Sequence, residues 1–303
     1  MPTLDYFNRP EYLLRPFQLY RRLLHPPHQA INSFKTVLLP WGVPLKIYPK
    51  PEEVVERSVW IFGIYDLSLS ETLWRLVDGR ETVLDIGANI GYTASLLAHR
   101  VGVEGKVFCF EPHPEIYAEL VENVKVWQEM KGWSQIQLHQ IALSERSGLG
   151  CLKIPPTNRA AAALDFSQSE NSSQKEGQSY SVPLQQLDEF WKEERQIHLI
   201  KIDVEGHEYQ VFQGAKQLLE RGLIRDIVFE EHQIYPSKAT EYLEKRGYHI
   251  FRLWKGFWKP ILLPANYNRF HPWEPPNYLA TIDPKRAVAR FQQRGWNCFD
   301  SNP

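Results

Sequence analysis

Cysteine is scarce in this sequence and widely scattered: Cys109, Cys151 and Cys298 are the only three in 303 residues. They form no Cys-x-x-Cys pair, and any pairing leaves one thiol over. This excludes a disulfide framework and points to a reducing compartment. No apolar run approaches the roughly 18 residues that a membrane span needs. Arg15, Arg21 and Arg22 interrupt the stretch 13–24, where a signal peptide would carry its apolar core. The expectation is a cytoplasmic protein with no transmembrane segment. A dominant charge is lacking as well, since 35 Lys and Arg stand against 36 Asp and Glu for a formal net charge of −1. That excludes a global pull on nucleic acid or on an anionic membrane. The dinucleotide fingerprint G-x-G-x-x-G and a tyrosine/lysine catalytic pair are both missing, which counts against a nicotinamide-dependent oxidoreductase. What remains is an ordinary globular composition, 43% hydrophobic and 23% charged, enough for one large α/β domain with an extension.

The most informative stretch is 81–112. Its first apolar run ends on Asp85, a turn Gly87-Ala88-Asn89-Ile90-Gly91 follows, and after a helical segment the run Val107–Phe110 ends on Glu111. Continuous apolar runs of this kind read as parallel strands buried on both faces. Ligands of such sheets sit outside the carboxyl ends of the strands, so Asp85 and Glu111 are expected to face a crevice there. Gly87 and Gly91 are expected to let the backbone turn tightly and a ligand come close. Glu111 is placed to accept hydrogen bonds from the two hydroxyls of a ribose. Asp85 would repel a pyrophosphate at the helix start and suit an ammonium group. S-adenosylmethionine has ribose hydroxyls, an amino acid tail and no phosphate, and is the expected cofactor.

A second constellation is IHLIKIDVEGHE. Lys201, Asp203 and Glu205 alternate with Ile200, Ile202 and Val204, so the three charges share one face of a buried strand. Unpaired charges there would be prohibitive. Lys201 is therefore expected to pair with Asp85 or Asp203 beneath the cofactor loop, while Asp203 and Glu205 reach the crevice. His207 and Glu208 open the next helix, where a carboxylate suits the positive end of the dipole. A third cluster, Glu230-Glu231-His232, ends the following strand and should face the same crevice. The candidates for catalysis are Asp203, Glu205, His207, Glu231 and His232, with histidine preferred as a base for its pKa near neutrality. Asp203 with Glu231 forms an alternative pair of hard oxygen ligands for a divalent cation. No metal is otherwise assigned.

Around these motifs strands and helices alternate, which implies a mainly parallel sheet with helices on both faces. Residues 69–77 read as a helix capped by Ser68 or Ser70, and 114–130 as a second with Ile116, Leu120, Val124 and Trp127 inward. Strands are expected at 136–143, 149–154, 225–230, 248–254 and 277–282. Residues 155–181 read as a long loop, a lid or an insertion. The methyl-transfer domain is set at 61–285, with a tail at 286–303. Residues 1–60 form an N-terminal extension broken by Pro10, Pro16, Pro26 and Pro27. Up to residue 50 it carries seven Lys and Arg against Asp5 and Glu11, either a solvated basic face or a patch for an anionic lipid or glycan carrier. Trp254, Phe257, Trp258, Tyr267, Phe270, Trp273 and Tyr278 offer flat faces for a sugar or, as aromatics more commonly do, pack in the core.

At these residues the sequence resembles the FkbM-type S-adenosylmethionine-dependent methyltransferases. The matches are VLDIGANIGYTA (83–94), VFCFEPHPEIYAELVENV (107–124), IALSERSG (141–148), VPLQQLDEF (182–190) and LIKIDVEGHEYQVFQGA (199–215). The likeness covers roughly 60–255, and the opening FNRPEYLLRPFQLYRRL looks like the leader of some members. The resemblance implies a class I methyltransferase (Rossmann-like) fold with a mostly parallel seven-strand sheet. It implies methyl transfer to a hydroxyl of a sugar, glycolipid or polyketide-like acceptor rather than to nucleic acid. By position it makes Asp85, Gly87, Asn89 and Gly91 the cofactor loop and Glu111 the ribose ligand. Ala142 would then lie near the adenine, and Asp203 near the methionine moiety and the methyl. A non-catalytic cofactor-binding partner in a glycan-assembly complex is the alternative.

Overall fold

The apolar runs of the sequence become strands of one central sheet. A computed structural model describes residues 8–17, 20, 24, 33–50, 53–155, 158–165, 178–269, 271, 272 and 274–299. An N-terminal hairpin, β1 (Lys35–Leu38) and β2 (Pro44–Ile47), precedes β3 (Thr82–Ile86), β4 (Lys106–Phe110) and β5 (Ile136–His139). A small second sheet follows, with β6 (Ala142–Leu143), β7 (Gly148–Ile154), β8 (Ala163–Asp165) and β9 (Gln178–Gln185). The chain then returns to the central sheet with β10 (Ile197–Ile202), β11 (Ile224–Glu230), β12 (His249–Lys255), β13 (Pro260–Pro264) and β14 (Asn277–Thr281).

The central sheet has the order β13-β12-β14-β11-β10-β3-β4-β5. Five neighbours, β11 to β5, run parallel, and β14 lies antiparallel between β11 and β12. This is the expected class I methyltransferase sheet, with β13 as an eighth strand that folds back on β12. Helices Leu67–Leu76, Tyr92–Val101 and Pro114–Lys131 cover one face, and Glu208–Gly214, Lys216–Glu220 and Lys238–Glu244 the other. Strand parity sorts the side chains between them. Val83, Leu199 and Val228 join the first layer, and Leu84, Ile200, Ile227 and Phe229 the second. Asp85, Lys201 and Glu230 therefore all belong to the first face.

Four expectations change. The strand read at 136–143 breaks after His139, because the chain leaves the edge of the central sheet and Ala142 pairs with Leu184 in the second one. The loop read at 155–181 holds β8 and the start of β9, both paired to β7, while 166–177 fall outside the described residues. Helix Leu67–Leu76 is capped by Asp66, whose Oδ1 accepts from the Leu69 N–H at 2.8 Å, and not by Ser68 or Ser70. The C-terminal stretch is no loose tail. Residues 284–292 form a helix, and Arg75, ion-paired with Glu71 at 2.7 Å in the core, donates to the carbonyls of Arg290, Gln293 and Gly295.

The N-terminal extension is likewise built into the core. Val37, Leu39, Trp41, Val43, Leu45 and Ile47 are buried with the first helix layer. Asn123 reads the hairpin edge on both sides, accepting from the Lys46 N–H at 2.8 Å and donating to the Lys46 carbonyl at 3.1 Å. Arg21, Arg22, Pro26 and Pro27 lie outside the described residues. Among the described residues no helix is long and apolar enough to cross a membrane.

Candidate active site

The loop after β3 is shaped by contacts that leave no room for a side chain. Gly87 has φ 76°, and a Cβ there would stand 1.9 Å from the Asp203 carbonyl oxygen. Asn89 also sits in the left-handed region, at φ 49°, and its own Oδ1 accepts from the Ile90 N–H at 2.7 Å. Gly91 serves packing instead. A Cβ would lie 2.7 Å from Leu120 and 2.8 Å from Trp127, so the glycine lets helix Tyr92–Val101 approach helix Pro114–Lys131.

Beneath the loop lies the ion pair read from the sequence. Lys201 Nζ stands 3.3 Å from Asp85 Oδ1 and 3.8 Å from Asp203 Oδ2, and donates to the Gly87 carbonyl at 2.8 Å. Burial lowers the Lys201 pKa, but Asp85 and Asp203 outweigh it and the pKa ends above its ordinary value. The expected contact of Asp85 with a ligand ammonium is corrected here. Asp85 is fully buried, accepts from Thr93 Oγ1 at 2.6 Å, and is absent from the cavity wall. Its carboxylate turns under the loop because the first helix layer covers that face of β3. Its partners are Thr93 and Lys201 beneath the loop.

Above the loop opens a cavity of about 410 Å3, within the range usual for small-molecule sites. One side is formed by Gly87, Ala88, Asn89, Glu111, Ala142 and Asp203. Glu111 accepts from the Asn89 N–H and the His113 N–H, each at 2.9 Å. Burial pushes its pKa up to about 7, against the pull of these two hydrogen bonds. A carboxylate has about four lone-pair sites, so two remain for a bound diol. Ile141, Ala142 and Leu143 give the same side an apolar edge of the kind a purine needs. The residues fit an adenosine-type ligand.

Asp203, Glu205 and His207 line the cavity. Glu205 is raised by burial and then by Asp203. His207 Nε2 lies 2.9 Å from Ser144 Oγ, and burial lowers its pKa to about 4 although Glu145 is nearby, so the ring is neutral at pH 7. Glu231 and His232 are not part of the wall. Both lie beyond the end of β11 at Glu230, and Glu231 is held by partners of its own: it accepts from Ser237 Oγ at 2.6 Å and the Gln233 N–H at 2.8 Å. The pair of Asp203 and Glu231 for a cation is thus not brought together. His232, with a side chain 66% exposed, places Nε2 2.7 Å from Glu230 Oε1.

Glu230 is the member of that cluster that faces the cavity. Its pKa is raised to about 8 by burial, and further by Asp203, Glu205 and Glu208. The alternation Asp226, Val228, Glu230, read in register with Leu199 and Lys201, carried this signal. The rest of the wall includes Arg9, Val54, Ser58, Tyr65, Arg159 and Glu274, and of these only Arg9 lies in a stretch that the sequence singles out. Arg159 binds this wall together, with Glu53 at 2.7 Å, Glu119 at 2.9 Å and Glu56 at 3.3 Å. The aromatic platform is not in the cavity. Trp254 packs edge-on against Tyr267 at 5.1 Å, Tyr278 stacks on Phe229 at 5.8 Å, and neither they nor Phe257 and Trp258 line the wall. They sit at the β13 end of the sheet, and Phe270 and Trp273 lie outside the described residues.

The pattern of the methyltransferase FkbM domain matches residues 85–250, more than half of the chain. No curated protein sequence matches it. Among solved structures, a methyltransferase FkbM from Methylobacillus flagellatus KT is 15% identical with a TM-score of 0.41, covering 68% of this chain and 47% of that one. The chain thus spans about half the length of the Methylobacillus protein. Fibrillarin from Aeropyrum pernix, solved with natively bound S-adenosyl-L-methionine, is 12% identical with a TM-score of 0.40, covering 71% and 76%. A SAM-dependent O-methyltransferase from Thermotoga maritima is 13% identical with a TM-score of 0.38, covering 71% and 63%.

Proposed function

This chain belongs to the FkbM methyltransferase family, and from that premise we propose that it transfers the methyl group of S-adenosylmethionine to a hydroxyl of a sugar, glycolipid or polyketide-like acceptor. The observation that carries the reading is Glu111: a buried carboxylate, oriented by two backbone N–H groups, whose free lone pairs face a cavity beside a glycine turn. When bound, the cofactor supplies an electrophilic methyl on a positively charged sulfur. The protein holds the acceptor oxygen in line with that methyl, which accounts for most of the acceleration. Asp203 and Glu205 give the wall the negative charge that suits a sulfonium. Glu230 takes the hydroxyl proton, and His232, bonded to it from the solvent side, passes the proton out. This replaces the histidine base expected from sequence, because His207 is held too acidic. All three cysteines are free thiols and two are buried, which supports placing the protein in the cytoplasm.

Calorimetry with S-adenosylmethionine and with NAD tests the cofactor. Binding of the first alone is expected, and binding of NAD alone would sink the reading. Glu111→Ala should weaken S-adenosylhomocysteine by roughly tenfold to a hundredfold, since hydrogen bonds to a charged group are worth about 1.5–3 kcal/mol each. An unchanged affinity would remove Glu111 from the ribose. Mass spectrometry of cell-envelope glycans and lipids, with and without the protein, looks for one added CH2 that depends on it. Cofactor binding without any such product would favour the non-catalytic alternative.

A further inference from the structure

The N-terminal segment that walls the cavity also leaves apolar side chains in solvent. Phe17 is 86% exposed, Leu13 65%, Leu38 63%, Phe34 55% and Val54 52%. Half of the large hydrophobics exposed among the described residues lie in the first 54 positions, and exposed apolar surface concentrated in this way marks an interaction surface. The helix that carries Leu13 ends at Leu14, and beyond Pro16 the residues Phe17, Tyr20 and Leu24 follow one another in the sequence at the spacing of one helix face. Phe34 and Leu38 lie on the outward side of β1, whose inward Val37 is buried.

Cations accompany this surface. Lys50 Nζ lies 4.5 Å from the centre of the Tyr48 ring, and Lys46 Nζ, paired with Glu122 at 2.6 Å, lies 4.4 Å from that of Phe34. Up to residue 50 seven Lys and Arg face two acids, whereas the whole chain has a net charge of −1, so the remainder is acidic. That asymmetry orients the basic end toward an anionic surface and the rest away from it. Aromatic and aliphatic side chains interleaved with lysines are what lies at the boundary between headgroups and acyl chains. Val54 is both exposed and part of the cavity wall, so the cavity reaches solvent beside the N-terminal segment.

We propose that Leu13, Phe17, Phe34, Leu38 and the surrounding cations seat the protein on an anionic lipid bilayer, with the mouth of the cavity at the membrane surface. The protein lies on the bilayer through this face.

Cosedimentation of the full chain tests this with vesicles of phosphatidylcholine alone and of phosphatidylcholine mixed with phosphatidylglycerol. Binding to the mixed vesicles is expected, weakened by salt and much weaker on the neutral ones. The triple variant Phe17→Ser/Phe34→Ser/Leu38→Ser should lower the partition constant by roughly tenfold or more. Lys35→Glu/Lys50→Glu should narrow the gap between the two vesicles. Unchanged melting temperature and S-adenosylhomocysteine affinity in the variants would show that the fold and cavity are intact. Three results would overturn the proposal: no vesicle binding, binding undiminished by the triple variant, or a dimer in solution that the variant dissolves without any vesicle binding. None of these readouts depends on methyl transfer.

Discussion

Replacing Lys201 with methionine is expected to destabilise the protein by about 3–5 kcal/mol, the usual cost of removing one partner from a buried ion pair. Methionine keeps most of the volume, so the loss reports the charge and not a cavity. The Lys201 side chain is only 4% exposed and that of Asp85 0%. Without the ammonium, Asp85 retains Thr93 as a hydrogen-bond donor but has no compensating charge, and the Gly87 carbonyl loses its donor as well. Urea unfolding measures the change. A second variant, Lys201→Met/Asp85→Leu, should recover part of the loss, because replacing both partners by apolar groups removes the uncompensated charge. A cost below about 1 kcal/mol for the single change, the range of exposed pairs, would show that the pair does not support the loop.

Glu230→Gln is expected to lower kcat by roughly 10²–10⁴-fold, the range for loss of a positioned base. The sign of the pH dependence follows from its environment. Burial first, then Asp203 and Glu205, raise the Glu230 pKa to about 8, and a base acts in its deprotonated form. The rate therefore rises with pH, and kcat/KM for the cofactor levels off above about pH 8. In the complex a positive sulfonium beside the carboxylate favours its ionised form, so the break in kcat comes at lower pH. Glu230→Gln should lose this alkaline rise and keep its affinity for S-adenosylhomocysteine. His232→Ala should keep the rise, with a smaller loss of rate. If the rise survives in Glu230→Gln and disappears in His207→Ala, the base is His207.

Much of the cofactor half could be read in advance because it is written locally. Asp85, Gly87, Asn89 and Glu111 lie within one strand–turn–helix–strand unit, and Lys201 shares a strand face with Asp203 by parity alone. The errors have a common form. Asp85 was expected at the ligand because it follows an apolar run, but which way the end of a strand turns depends on the helix layer packed over it. The cluster Glu230-Glu231-His232 is expected to face the crevice together, but β11 ends at Glu230 and only that residue lines the cavity. Ser68 or Ser70 is expected as the cap of the first helix and Asp66 is found there, because pattern fixes helix ends only to within a residue or two.

The sequence by itself determined the parallel sheet, the glycine turn after its first strand and the family, since period and turn residues are local properties that survive without knowledge of distant contacts. Tertiary structure alone decided the other wall. Arg9, Val54, Tyr65, Arg159 and Glu274 come from parts of the chain up to 265 residues apart, as their numbering shows. No periodicity links them, and they meet only when the segment at Arg9, the helix Val54–Phe62 with Tyr65 beyond it, the turn at Arg159 and the C-terminal stretch at Glu274 come together around the cavity.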